Sequence, residues 1–277
     1  MKVQFLDKNA VKRSVKIIAG LSTSLSIALL FVDIPPERKI YAGALFLLAL
    51  LSIHLVIWIQ ANRLREISID VEGSTVSIKT GDIFKQRGLK AIAFNEYFDT
   101  QVDNVLISEE SLNGKLITSK LKEPPETLDA HIENYKFDDG DVLETNVTRT
   151  SGKTTRYRLG TICVYNDFLL AAFARFDDNN QASLTMPEYL EFLINFWDRV
   201  NRVYAQKNVS TTIFGSGITR IKGHKLINEE DLLKIMLWTF RISEMRFKYP
   251  AKLTIVIHED KIGQINLLDI ASAKNGV

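Results

Sequence analysis

The run Ile40–Ile59, IYAGALFLLALLSIHLVIWI, contains no Asp, Glu, Lys or Arg. At ~1.5 Å per residue, an uncharged helix of this length crosses the ~30 Å hydrocarbon core of a bilayer. A second apolar stretch, Val15–Val32, precedes it, with Lys16 near its start and hydroxyls at Ser22, Thr23, Ser24 and Ser26. Such hydroxyls can bond to carbonyls of their own helix or to a neighbouring helix. Between the two lies DIPPERK, whose prolines and charges force a turn. The pattern predicts a transmembrane hairpin over 1–66, with spans of about 15–34 and 40–60, followed by a separate domain over 67–277.

Charge sets the expected orientation. Lys2, Lys8, Lys12 and Arg13 precede the first span, and Arg63 and Arg65 follow the second. Arg38 and Lys39 in the turn are offset by Asp33 and Glu37. The positive-inside rule then places both termini in the cytoplasm, with Tyr41 and Trp58 as interfacial anchors. A single cysteine, Cys163, excludes an internal disulfide and a cysteine-based zinc site, and it suits a reducing compartment. The four histidines are scattered without HExxH spacing, so no metal is expected. A formal net charge of +2 gives no global basic field for nucleic acid.

The remainder reads as α/β. EISIDV and STVSIKT alternate around Glu72-Gly73 as two short strands. KAIAFN, VSTTIF and KLTIVIHE are buried strands, and the stretch from Asp141 to Phe176 holds several more, joined at TSGKT and YND. PPETLDAHIENY is a short helix with prolines at its start. Thr185 and Glu188 form a capping box ahead of a helix whose expected apolar face is Leu190, Leu193, Ile194 and Trp197. Asn228 caps a further long helix. Apolar strands alternating with helices predict a sheet covered on both faces.

Three stretches carry candidate chemistry, each with an ordinary structural alternative. In FGSGITR, Phe214–Arg220, glycines let backbone N–H groups approach an anionic oxygen, and Arg220 can neutralise it; the alternative is a tight turn. In TGDIF, the Asp82 carboxylate at a strand end can accept from an exocyclic amine; the alternative is a plain Gly-Asp turn. In FNEYFDTQVDN, Asn95, Glu96, Asp99 and Asp103 are polar groups beside the rings of Tyr97 and Phe98; the alternative is a solvated acidic loop. DDNNQASLTMPE has EF-hand-like offsets, but Ala182 stands where the loop requires glycine.

Taken together, VSIKTGDIF, a strand ending in Asn95, and a late IFGSGITR resemble the macro domain, a mixed sheet between helices that binds ADP-ribose-type nucleotides. With GDIF, NEYFDT, SLNGK, LLAAFARFD and the membrane hairpin, the whole chain resembles Thoeris anti-phage defence effectors that carry two transmembrane helices and a C-terminal macro domain. The resemblance implies that Asp82 holds the adenine amine beside the Ile83 backbone, and that Asn95 lies near the distal ribose. It implies that Gly215, Ser216, Gly217, Ile218 and Thr219 wrap the diphosphate, next to Arg220.

Hydrolytic macro domains have a second glycine-rich loop where this chain has Glu96, Tyr97, Phe98 and Asp99. That bulk suits a receptor over an enzyme, one that reads an amino-acid or imidazole-type group on the ribose through Glu96 or Asp99. The implied function is a non-enzymatic effector in the bacterial cell membrane, with no cofactor or metal. An ADP-ribose-derived signal made by a TIR-domain partner would drive homo-oligomer assembly and disruption of membrane lipid, ending in cell death or growth arrest. A membrane-tethered ADP-ribosyl hydrolase, or an anchor with an inert nucleotide fold, remains open at this point.

Overall fold

A computed structural model describes residues 3–145, 149–177, 181–217, 220–221 and 227–273, the side chain of Arg220 excepted. Two helices come first, α1 (Lys8–Ala28) and α2 (Pro36–Arg63). The strands are β1 (Glu66–Val71), β2 (Ser74–Thr80), β3 (Leu89–Asn95), β4 (Val142–Thr145), β5 (Thr155–Tyr157), β6 (Ile162–Tyr165), β7 (Phe168–Phe176), β8 (Ala182–Leu184), β9 (Val209–Thr212), β10 (Arg220–Ile221) and β11 (Leu253–Ile257). The later helices are α3 (Leu112–Lys115), which runs into a π-type turn at Leu116–Lys120, α4 (Pro125–Asn134), α5 (Met186–Val203), α6 (Glu229–Ile242) and α7 (Leu267–Ser272).

The main sheet has the order β1-β2-β11-β9-β3-β7-β8-β10, with β6 also on β7. Its centre, β2-β11-β9-β3-β7, is parallel. β1 on β2, and β6 and β8 on β7, are antiparallel, while the edge strand β10 runs parallel to β8. β4 and β5 form a separate hairpin. The fold is therefore the mixed α/β sheet between helices that the sequence predicts.

Alternation along the strands explains the layers. Leu169, Ala171 and Phe173 of β7 point into one core with α5, α6 and α7, and Leu170 and Ala172 point into the other with α4. A strand buried on both sides cannot show a polar face, hence the continuous apolar runs. On α5, Thr185 and Glu188 make the expected capping box. The buried stripe is Tyr189, Phe192, Leu193, Phe196, Trp197 and Val200. Ile194, expected on that face, is exposed: 3.6 residues per turn places it beside the stripe containing 189, 193, 196 and 200.

The N-terminal helices also depart from expectation. α1 begins at Lys8, where Asp7 caps it, and ends at Ala28. The charged end of DIPPERK does not stay a loop: Pro36 is helical, and Glu37, Arg38 and Lys39 form the first turn of α2. Among the described residues one helix, Pro36–Arg63, is long and apolar enough to cross a membrane. Lys8, Lys12, Arg13 and Lys16 interrupt the apolar character of α1, while Leu21, Leu25 and Ile27 on its later turns remain exposed.

Candidate functional site

The carboxyl ends of the parallel strands open into a cleft of about 1470 Å³. Open α/β sheets bind ligands at this end. The ends of β2, β3, β7, β9 and β11 supply its floor. Gly81, Asp82, Ile83, Asn95, Gly215, Ser216 and Gly217 all line it, so three separated sequence stretches meet in one cavity. Phe84, Phe94, Phe173, Phe176 and Phe214 give it aromatic walls.

Beyond β2, Asp82 Oδ1 accepts from Phe84 N at 2.9 Å, which fixes the start of a 3₁₀ turn, Ile83–Lys85. Two strands along the sheet, β9 leads into Phe214 and Gly215. Tyr189 Oη donates to Phe214 O at 2.9 Å, so a buried tyrosine pins the turn. Burial and the nearby Glu229 push the Tyr189 pKa up, which keeps its hydroxyl a donor. Gly215 has φ +84°, a conformation that glycine adopts without strain. Ile218 and Thr219 lie outside the described residues, as does the side chain of Arg220, whose backbone starts β10 beside β8.

Asn95 sits where the register of β3 against β7 shifts. Its Oδ1 accepts from Tyr97 N at 3.0 Å and Asp99 N at 3.2 Å, and its Nδ2 donates to Asp99 Oδ2 at 2.8 Å. The amide thus closes the turn that follows the strand.

Glu96, Tyr97, Phe98 and Asp99 are not brought into the cleft. Glu96 Oε2 accepts from Arg156 Nε at 2.8 Å and Arg175 Nη1 at 3.0 Å, and its Oε1 accepts from Phe176 N at 3.3 Å. Asp99 takes both Arg149 nitrogens, at 3.1 and 2.6 Å, and Lys153 N at 2.7 Å. Tyr97 lies under the Arg149 guanidinium, 3.9 Å from its ring centre. Phe98, at φ +50°, is fully buried against Phe137 and Tyr157. Two buried carboxylates are tolerated there because each is paired and hydrogen-bonded. Burial opposes the Arg156 charge, but Glu96 and Glu144 outweigh it and raise its pKa further.

A different loop covers that side of the cleft. Asn104–Ser108, Ser111–Asn113, Lys115, Ser119 and Lys120 line it, as do His258–Lys261 after β11. Slight desolvation opposes ionisation of Asp103, but donors from Leu106, Val105 and Gln101 lower its pKa and order the loop. Gly114 is required: a Cβ there would lie 2.2 Å from Ser108 O. The π-type turn that follows is a feature enriched at functional sites. Lys115, Lys120 and Lys261 place cationic groups around the opening.

The model of the Thoeris protein ThsA macro domain matches residues 76–258. The Thoeris protein ThsA of Bacillus amyloliquefaciens (strain Y2) is 39% identical over 282 residues, covering 98% of this chain and 92% of the relative. This chain belongs to the Thoeris ThsA family. Among solved structures, an Oceanobacillus iheyensis macrodomain mutant with ADPR shares 12% identity at a TM-score of 0.43, covering 72% of this chain and 94% of its own. The Oceanobacillus iheyensis macrodomain with ADP shares 14% at a TM-score of 0.41, covering 72% and 90%. The ThsA macro domain match runs from β2 to the first residue after β11, and so contains Asp82, Asn95 and Gly215–Gly217.

Proposed function

We propose that this ThsA-family chain is an anti-phage effector whose cleft receives an ADP-ribose-type nucleotide. The observation that carries this reading is the convergence of Asp82, Ile83, Asn95, Gly215, Ser216 and Gly217 on one cleft at the carboxyl ends of the parallel strands. Asp82 takes the adenine amine, the segment Gly215–Thr219 with Arg220 takes the diphosphate in the middle, and Asn95 lies near the distal ribose. Binding favours an assembled state, and only by its differential affinity for that state.

In the same reading the signal comes from a TIR-domain partner. The segment 1–66 is a membrane hairpin with both ends cytoplasmic, 67–277 is the receptor, and clustering of hairpins disrupts the membrane. Because Glu96 and Asp99 already pair with arginines, the group attached to the ribose is met by the loop Asn104–Lys120 or by His258–Lys261. Glu96, Tyr97, Phe98 and Asp99 act by holding Asn95 and the end of β3 in place. The same pairing leaves neither acid free to activate water, which favours a receptor over a hydrolase.

Calorimetry with ADP-ribose on the full chain in detergent tests the reading. Saturable binding that Asp82→Ala and Gly217→Asp each weaken at least tenfold supports it. Wild-type binding that neither variant alters sinks the assignment of the pocket, and release of ADP-ribose from modified protein sinks the receptor assignment.

A further inference from the structure

The segment leaving β11 has two ends with different neighbours. Its first residues, His258–Lys261, line the cleft. There Lys261 Nζ donates to Glu229 Oε1 at 2.6 Å, and Glu259 pairs with Arg65 just past α2. Its last residues hold the hairpin. Asn266 Nδ2 donates to Asp7 Oδ2 at 3.1 Å, Asn9 Nδ2 donates to Asp269 Oδ1 at 2.8 Å, and Leu268 packs with Val3, Ala10 and Ala61.

Two carboxylates converge on Asn266. Asp7 Oδ1 accepts from the N–H groups of Asn9 and Ala10, at 2.9 and 3.0 Å, and so caps α1 while its other oxygen holds Asn266. Glu230, beside Glu229, accepts from Asn266 N at 2.7 Å. The first turn of α6 thus grips the segment at Lys261 and again at Asn266.

We propose that the segment His258–Asp269 couples occupancy of the cleft to the position of the N-terminal hairpin. The proposal rests on the reading that the cleft takes an anionic nucleotide. A diphosphate competes with Glu229 for Lys261, because both are anions and Lys261 lines the cleft while paired with Glu229. Displacing Lys261 moves the segment against α6 and loads the Asn266–Asp7 and Asp269–Asn9 bonds. Coupling of this kind is reciprocal: loosening the hairpin contacts must change ligand affinity, although neither contact touches the cleft.

The test is the ADP-ribose dissociation constant of the full chain in detergent, for wild type, Asn266→Ala and Asn9→Ala. The expected result is binding tighter by roughly threefold or more in both variants, a partial release of the usual coupling range. Asn9→Ala changes no residue after β11, so its effect can come only through the lost contact with Asp269. Equal constants in all three proteins overturn the coupling and leave the reading of the cleft standing. No binding by wild type overturns that reading and the coupling with it.

Discussion

Arg149 Nη2 lies 2.6 Å from Asp99 Oδ2, with 8% of the arginine side chain and 1% of the aspartate side chain exposed. The pair holds the turn after β3 from beneath, since Asp99 also receives Asn95 Nδ2 at 2.8 Å. Removing one member strands a buried charge, at a cost of about 3–5 kcal/mol. Asp99→Ala and Arg149→Ala should each lose that much in urea denaturation. The double variant should lose clearly less than their sum, because the second substitution removes the orphaned partner. Additive losses would show that the two residues act independently.

Gly152 guards the same pair. Its φ is +82°, and a Cβ there would lie 2.5 Å from Asp99 Oδ1 and 2.8 Å from Arg149 Nη1. Gly152→Ala should therefore destabilise by about 1–3 kcal/mol from backbone strain alone, and more from the displaced ion pair. Gly217→Ala is the control, because among the described residues nothing lies within 4 Å of its Cβ position. A thermal midpoint unchanged by Gly152→Ala would contradict the geometry.

The strands and long helices were legible because their signals are local: apolar runs, a Thr-x-x-Glu capping box and turn glycines. That Asp82, Asn95 and Gly215 stand at or just after strand ends is equally local, read from the apolar runs that precede them. The roles of Glu96 and Asp99 were not, because the residues that neutralise them, Arg149, Arg156 and Arg175, lie 50, 60 and 79 residues along the chain. No spacing rule predicts such pairings. The loop Asn104–Lys120 and the residues His258–Lys261 carry no such signal, because only the return of the chain over the cleft makes them lining residues. The Ser111–Gly114 cap within SLNGK is the one local sign of that turn.

Glu188 gives a pH dependence. Burial opposes its ionisation, but the Thr185 N–H, the Thr185 hydroxyl and Arg175 outweigh burial and lower its pKa from 4.5. The unfolded chain therefore takes up this proton first as pH falls. The contribution of Glu188 is complete above about pH 4.5 and is lost as pH drops through the folded value. Glu188→Gln keeps a capping-box side chain but removes the charge beside Arg175 and the helix N-terminus. It should cost about 0.3–1 kcal/mol at neutral pH and should flatten the acid limb of a plot of melting temperature against pH. An acid limb of unchanged slope would show that other carboxylates carry it.

Cys163 is fully buried in β6, and burial pushes its thiol pKa up to about 12. Thiolate is the reactive form, so the native protein should resist iodoacetamide at pH 8 and react only after unfolding. Native alkylation within minutes, followed by mass spectrometry, would show that β6 opens readily.

α2 carries a long exposed apolar face, where Leu45, Leu48 and Leu51 are 69%, 61% and 57% accessible. A water-facing helix with that surface would be an aggregation site, whereas in lipid it needs no cover. Leu48 is near the middle of the uncharged run, where an arginine costs about 2.5–3.5 kcal/mol on insertion. Leu48→Arg should deplete the carbonate-resistant membrane fraction of expressing cells. Ile194→Arg, at an exposed position of α5, should leave it unchanged. If both variants fractionate like wild type, α2 does not cross the bilayer, and its apolar face must instead be covered by protein.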